Sequence, residues 1–400
     1  MSRIAITGIG VVAPGAVGVD AFRTLLNSGE SAIKPIDRFD TAGLSAHKAA
    51  LVANFTPRDF IAPMKMRRMN TLSRYGVSAA KLALADRGGD PMPQGSGVVI
   101  GTSFGPVQTS VEYMQEYVEK GAALAPPQLF AESVANAPGS HIAIENGLRG
   151  FNVTVTQRES SALAAAMYAS SQIAKGSAGA ALIGGVEEVN EMIFSVLDRF
   201  GALAHTNGVV DEQSRPFDRR RNGISIGEGA AILTIEASAA SRPYAYISGF
   251  GIARDTTATI SDWGTGYESV AAAMRAAIAD ADIEPSQIDA VYSSANGSKR
   301  ADRLEYCAIQ SLFPGRRLPV VATKGYFGEY AAGGALQLAA AALAMRDQTL
   351  HKSAGFESGE DEMHIDVNRE RRETDLGHIL VNAISAGGGI VSMVLSREQQ

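Results

Sequence analysis

The chain has 400 residues, 46% of them hydrophobic and 20% charged, and a formal net charge of −6. That balance excludes a disordered chain, and its acidic sign argues against nucleic acid or an anionic membrane as the main partner. The length exceeds one ordinary domain and points to two domains or one duplicated fold.

The first segment, "MSRIAITGIGVVAP", reads as a strand followed by a glycine turn and lacks the charged start and cleavage site of a signal peptide. A basic cluster follows in "MKMRRMN", residues 64–70. Next, "GVSAAKLALADRGGDPMPQGSGVVIGTS" predicts an alanine-rich helix ending in an Ala-Asp step, a proline turn, a strand and a small-residue loop. In "NVTVTQRESSALAAAMYAS", residues 152–170, an alternating strand enters a polar turn and then an alanine-rich helix. This is the layout of a catalytic elbow, yet Glu159 stands at the helix start where a nucleophile belongs. A second basic cluster is "DRRRNG", residues 218–223. Each cluster reads either as a solvated face or as a docking site for an acidic protein.

The pattern then repeats. "PYAYISGFGIAR" answers the first strand, "SVAAAMRAAIADADIEPSQIDAVYSSANGS" answers the helix, turn and strand, and "EYAAGGALQLAAAALAMRDQ" answers the elbow helix. Strands alternating with helices imply an α/β fold. Two similar halves are expected, 1–240 and 241–400, meeting between residues 236 and 243. Cys307 is the single cysteine, which excludes an intrachain disulfide and a cysteine metal cluster. Its helical setting, "RLEYCAIQSLF", predicts a buried core thiol. No apolar run reaches the ~18 residues of a membrane span. The nearest, "AAGGALQLAAAALAM" at 331–345, predicts a buried, closely packed helix. A soluble cytoplasmic protein without a metal site is the expectation.

Four loops at strand ends stand out: the turn before Glu159, "SSANGSKRAD", "TKGYFGEYAAGG" and "NAISAGGG". With "ITGIGVVAP", "GLRGFNVTV", "ALIGGVEEVN" and "SRPFDRRRNGISIGEGAAILTIE", they resemble the β-ketoacyl-acyl-carrier-protein synthase family over nearly the whole chain. The resemblance implies a thiolase-like, five-layered αβαβα fold. It also implies an acyl-accepting cysteine activated at a helix N-terminus and two histidines that stabilise an enolate. Carried over by position, the cysteine falls on Glu159, the first histidine on Asn296 and the second on Glu329. Lys324, Asn382 and the glycines after Ala386 match, and Ala386 stands in place of a gating phenylalanine. The loop after Asn296 is two residues shorter than the usual pattern before Asp302 and Glu305.

No catalytic position is therefore intact. A carboxylate attacking a thioester would make a mixed anhydride, far higher in energy than the thioester a thiolate makes, so Glu159 is rejected as an acyl carrier. Glu159 is expected to be an anion at a helix N-terminus, in an ion network with Lys324 and Glu329. The pattern resembles the chain length factor, or ketosynthase β subunit, of type II polyketide synthases. Such a subunit pairs with a cysteine-bearing ketosynthase and serves an acyl carrier protein. Glutamate in place of the usual glutamine points toward polyene systems such as aryl polyenes. No cofactor is implied. Met114 and Phe130, in the segment 106–130, are the candidates for closing a tunnel at the subunit interface. Two alternatives remain: a stand-alone thioester decarboxylase or hydrolase using Glu159 or Glu329 as base, and a homodimeric acyl-binding protein without catalysis.

Overall fold

The computed structural model describes residues 4–206, 208, 210–237 and 243–397. The expected junction of the two halves, at 240–241, lies outside these described residues.

Ten strands build the core: β1 (Ile4–Ala13), β2 (Gly97–Gly101), β3 (Asn152–Val155), β4 (Ala180–Glu187), β5 (Gly229–Glu236), β6 (Ala245–Arg254), β7 (Ala290–Ser293), β8 (Pro319–Ala322), β9 (His378–Ile384) and β10 (Gly389–Ser396). In the first half they run in the order β1-β5-β4-β2-β3, and in the second β6-β10-β9-β7-β8. The pairing sense also matches. β1–β5 and β5–β4 are antiparallel while β4–β2 and β2–β3 are parallel, and the second half repeats this step for step. The duplication visible in the sequence is thus a duplication of topology. β1 and β6 pair antiparallel through Ile4–Ile6 and Ala245–Ile247, which joins the halves in one mixed sheet.

Seven helices matter for the site: α1 (Thr71–Asp86), α2 (Val107–Lys120), α3 (Ser161–Ala174), α4 (Glu191–Arg199), α5 (Tyr267–Asp280), α6 (Lys299–Leu312) and α7 (Ala335–Asp347). Strand residues alternate between two apolar clusters, as a period of two requires. Val98 and Ile100 face α1, whereas Val99 faces α3 and α7. In the second half Tyr292 and Val321 face the same central helices, while Val291 and Val320 face α5 and α6. The layers are therefore outer helices, sheet, central helices, sheet, outer helices. Every residue of α7 from Ala335 to Met345 is buried, as the alanine-rich run predicts.

The expected glycine turns after the first strand of each half are not turns. Gly8 and Gly10 lie inside β1, and Gly249 and Gly251 lie inside β6. A Cβ at Gly10 would sit 1.9 Å from the Ala79 carbonyl oxygen of α1, and one at Gly251 would sit 1.9 Å from that of Ala273 in α5. These glycines let a helix backbone lie directly on a strand, so they are contact points and not bends.

Candidate functional site

The elbow forms where β3 ends. Residues Arg158–Ser160 make one tight turn and α3 begins at Ser161. Arg158 takes a left-handed backbone, φ 49°. The turn is held because Ser161 Oγ donates to the Arg158 carbonyl at 2.6 Å and accepts from the Gln157 N–H at 2.8 Å. The Ser160 N–H donates to Ser385 Oγ at 3.0 Å, which ties the elbow to the turn between β9 and β10.

Glu159 is buried, with 1% of its surface exposed. Its Oε2 accepts the Ala386 N–H at 3.2 Å, and its Oε1 has no hydrogen-bond partner among the described residues. Burial, reinforced by the nearby Glu329 charge, pushes the Glu159 carboxyl up to about 7, against the lowering pull of Arg158, its own backbone N–H and Lys324. Burial thus opposes the anion that the helix N-terminus was expected to hold. Desolvation outweighs the few N–H groups that reach the carboxyl. The expected three-member ion network is corrected, because Glu159 bonds a backbone amide and not Lys324.

The other two members do meet. Lys324 Nζ lies 2.7 Å from Glu329 Oε2, and both side chains are buried. Asn296 Nδ2 donates to the same oxygen at 2.6 Å, and the Tyr330 N–H donates to Glu329 Oε1 at 3.0 Å. Both carboxylate oxygens are therefore occupied, with the ammonium charge opposite.

A second layer fixes these groups. Asp302, at the start of α6, accepts the N–H groups of Asn296 and Gly297 through Oδ1 at 2.9 and 3.2 Å. It accepts the Phe217 N–H through Oδ2 at 2.7 Å. Burial pushes its carboxyl up to about 6. Glu305, one turn further along α6, binds Ser293 Oγ at 2.7 Å and Asn382 Nδ2 at 2.9 Å. Asn382 Oδ1 accepts from Ser392 Oγ at 2.9 Å, so Asn382 links Glu305 of α6 to β10, and its bonds go to these two residues and not to Glu159 or Glu329. The shortened loop still delivers Asp302 and Glu305 to these partners.

A cavity of about 530 Å³ opens beside Glu159. Exposed Phe200 and half-buried Trp263, with Lys299 and Arg300, line its outer part. Arg158, Tyr330 and Ala386 line its inner part. Met114 and Phe130 are not among its lining residues. They stand on the outer surface, 52% and 59% exposed, on α2 and the short helix after it. The Tyr113 and Phe130 rings lie 5.6 Å apart there, beside exposed Val118 and Leu124.

The basic cluster at 218–223 is neither a solvated face nor a free docking patch. Arg221 is buried against Glu360 at 3.0 Å and Asp302 at 3.6 Å. Arg220 pairs with Asp218 and Glu357, both at 2.8 Å, which leaves Arg219 as the exposed arginine. In the 64–70 cluster Lys65 pairs with Glu145 at 3.0 Å, while Arg67 and Arg68 are exposed. Cys307 is half-buried, not a core thiol. Sequence reasoning missed Tyr330 and Ser385, whose roles rest on folding across distant loops. It also missed Glu187, which is fully buried and pushed up to about 8 by that burial. The doubled Glu-Glu in "GGVEEVN" was the available signal. Among the described residues no His, Cys, Asp and Glu group is arranged to hold a metal, and no helix is long and apolar enough to cross a membrane.

Comparison with known proteins gives a consistent picture. The family model for the β-ketoacyl synthase N-terminal domain matches residues 1–240, and that for the C-terminal domain matches residues 244–357. The chain is 28% identical to 3-oxoacyl-[acyl-carrier-protein] synthase 2 of Coxiella burnetii, covering 99% of this chain and 98% of that protein. It is 30% identical to the tetracenomycin polyketide synthase ketoacyl synthase beta subunit of Streptomyces glaucescens, covering 98% of each. The solved ishigamide ketosynthase/chain length factor superposes with a TM-score of 0.90 at 26% identity, covering 99% of each chain.

Proposed function

Because the chain belongs to the β-ketoacyl synthase family, we propose that it is a non-catalytic member that pairs with an active, cysteine-bearing ketosynthase. In that pair it helps set the length of an acyl or polyketide chain carried by an acyl carrier protein.

The observation that carries this reading is the mutual bonding of Asn296, Glu329 and Lys324. Stabilising an enolate needs preorganised donors facing the reacting oxygen. Here Asn296 donates to an anion already in the protein, and that anion would repel a second one. Glu159 supplies no thiol. The same three substitutions sit in a scaffold whose second layer is complete, which fits retention for pairing better than decay. Exposed Met114, Val118, Leu124 and Phe130 give the chain an apolar face of the kind that subunit pairing covers. The names of the Streptomyces and ishigamide relatives support the same role.

Gentle purification of the tagged protein from its native cell, with native mass measurement, tests this. A one-to-one complex with an intact ketosynthase is expected. A homodimer without such a partner would overturn it in favour of an acyl-binding protein. One observation favours a second reading: a carboxyl near neutrality is suited to general-base work, so Glu159 makes stand-alone thioester decarboxylation or hydrolysis worth assaying. Glu329 is unsuited, since both of its oxygens are engaged.

A further inference from the structure

Helix α6 borders two cavities. Its first turn, Lys299 and Arg300, lines the one beside Glu159, and its last turn, through Gln310, lines another of about 410 Å³. The two share no lining residue. Ten residues of helix separate them, about 15 Å along the axis.

Two short stretches build the second cavity. The first is the turn after α6, "FPGRRL", residues 313–318. Phe313 and Leu318 are buried and anchor it. Gly315 takes a left-handed backbone, φ 72°, and the Arg316 N–H donates to the Phe313 carbonyl at 3.2 Å. The turn thereby brings Arg316 and Arg317 side by side to the cavity. The second stretch is 363–366. Asp366 and Val367 pair parallel with Pro319 and Val320 at the start of β8. The His364 carbonyl accepts from Gln310 Nε2 at 2.9 Å, and the His364 N–H donates to the Tyr306 hydroxyl at 3.3 Å. Both walls are therefore held by bonds of the protein itself, so the site is preorganised.

The polar groups on these walls are largely uncommitted. Arg316 donates one N–H to the Pro285 carbonyl at 2.9 Å. Arg317, the His364 ring and the Asp366 carboxylate have no hydrogen-bond or ion-pair partner among the described residues. By contrast Arg220, Arg221 and Arg300 each pair with a carboxylate. In a chain of net charge −6, two neighbouring guanidinium groups at a cavity with no carboxylate bound to them suit an anion from outside, and their planar forks match phosphate. A bare anion would suit the Asp366 wall poorly. A ligand that also brings hydroxyl donors would suit both walls, since a carboxylate accepts from vicinal sugar hydroxyls.

We propose that this cavity binds a small sugar phosphate. Arg316 and Arg317 take the phosphate, a ring nitrogen of His364 donates to it, and Asp366 accepts from the sugar hydroxyls. The volume falls in the range of small-molecule sites. The site is additional to the proposed pairing and does not depend on it. Arginines that were merely solvated would hold any anion weakly and without regard to its hydroxyls.

Calorimetric titration separates the two cases. The protein is used as isolated, with any co-purifying partner, and the probes are ribose 5-phosphate, inorganic phosphate and ribose. Ribose 5-phosphate is expected to bind saturably and at least about tenfold more tightly than either of the others, the scale of one charge-assisted hydrogen bond. Arg317→Ala should weaken it by at least about tenfold, and Asp366→Asn should erase its advantage over inorganic phosphate. Both side chains are exposed, so the melting temperature should hold in each variant. Arg219→Ala, which removes an exposed arginine outside the cavity, should leave the affinity unchanged. No saturable binding, ribose 5-phosphate no tighter than inorganic phosphate, binding that survives Arg317→Ala, or an equal loss in Arg219→Ala overturns the proposal.

Discussion

Asn296 and Glu329 hydrogen-bond each other across 2.6 Å, although they stand 33 positions apart in the chain on separate loops. The resemblance implies that a working synthase has two histidines at these positions, which stabilise an enolate. In this protein the two positions satisfy one another, and Lys324 neutralises the result.

The first expectation concerns that neutralisation. Lys324→Met removes the cation and leaves Glu329 buried beside Asn296. Breaking a buried pair from one side costs about 3–5 kcal/mol, so the denaturation midpoint should fall clearly. The double variant Lys324→Met with Glu329→Gln should regain most of the loss. An unchanged midpoint for the single variant would show that the pair contributes nothing.

Restoring the nucleophile alone should not restore the enzyme. Glu159→Cys puts a thiol at the start of α3, where backbone N–H groups favour the thiolate. Acylation of that thiol by a thioester should appear by intact-protein mass measurement. Condensation should stay absent until Asn296 and Glu329 are both changed to histidine. A single Glu159→Cys variant that condenses would remove the argument from mutual bonding.

The outer apolar face should matter for association and product, not for folding. Phe130→Asp places a charge on a surface that is solvated in the isolated chain, so the melting temperature should hold. Recovery of the partner ketosynthase should drop at least about tenfold, the effect of losing one central contact. Met114→Ala and Phe130→Ala should keep the pair and shift the product length distribution. Unchanged products would place length control elsewhere.

Glu187 predicts a pH dependence of stability. Burial raises it from 4.5 to about 8, so the folded state binds this proton more tightly than the unfolded chain does. Its stabilising contribution is full below about pH 4.5 and is lost as the pH rises through about 8. The melting temperature should therefore decline between pH 6 and 9, and Glu187→Gln should flatten that decline. Glu159 contributes in the same direction over a lower window, ending near pH 7.

Much of this was legible in the sequence because it is local. The elbow strand, the alanine-rich helices α3 and α7 and the repeat follow from residue period and small side chains. The positions of Glu159, Asn296 and Glu329 follow from the resemblance to the β-ketoacyl synthase family, carried over residue by residue. The upward shift of the Glu159 carboxyl was not legible, because the helix start visible in the sequence favours an anion while the surrounding layers, which are tertiary, oppose it. Arg220 and Arg221 dropped out of the docking patch for a similar reason, since Asp302, Glu357 and Glu360 come from distant segments. Gly8 and Gly10 misled as turns, because a glycine's need for a close neighbour looks the same in sequence as its need for a bend.

The short antiparallel contact between Ile4–Ile6 and Ala245–Ile247 has a consequence for synthesis on the ribosome. Neither neighbour of β1 is local, since β5 begins at Gly229 and β6 at Ala245. Until β6 emerges, its upper edge offers unpaired amides flanked by isoleucine, an invitation to pair with another nascent chain. A fragment ending at residue 240 would keep that edge permanently open. It should accumulate as aggregate even though its own five strands are complete.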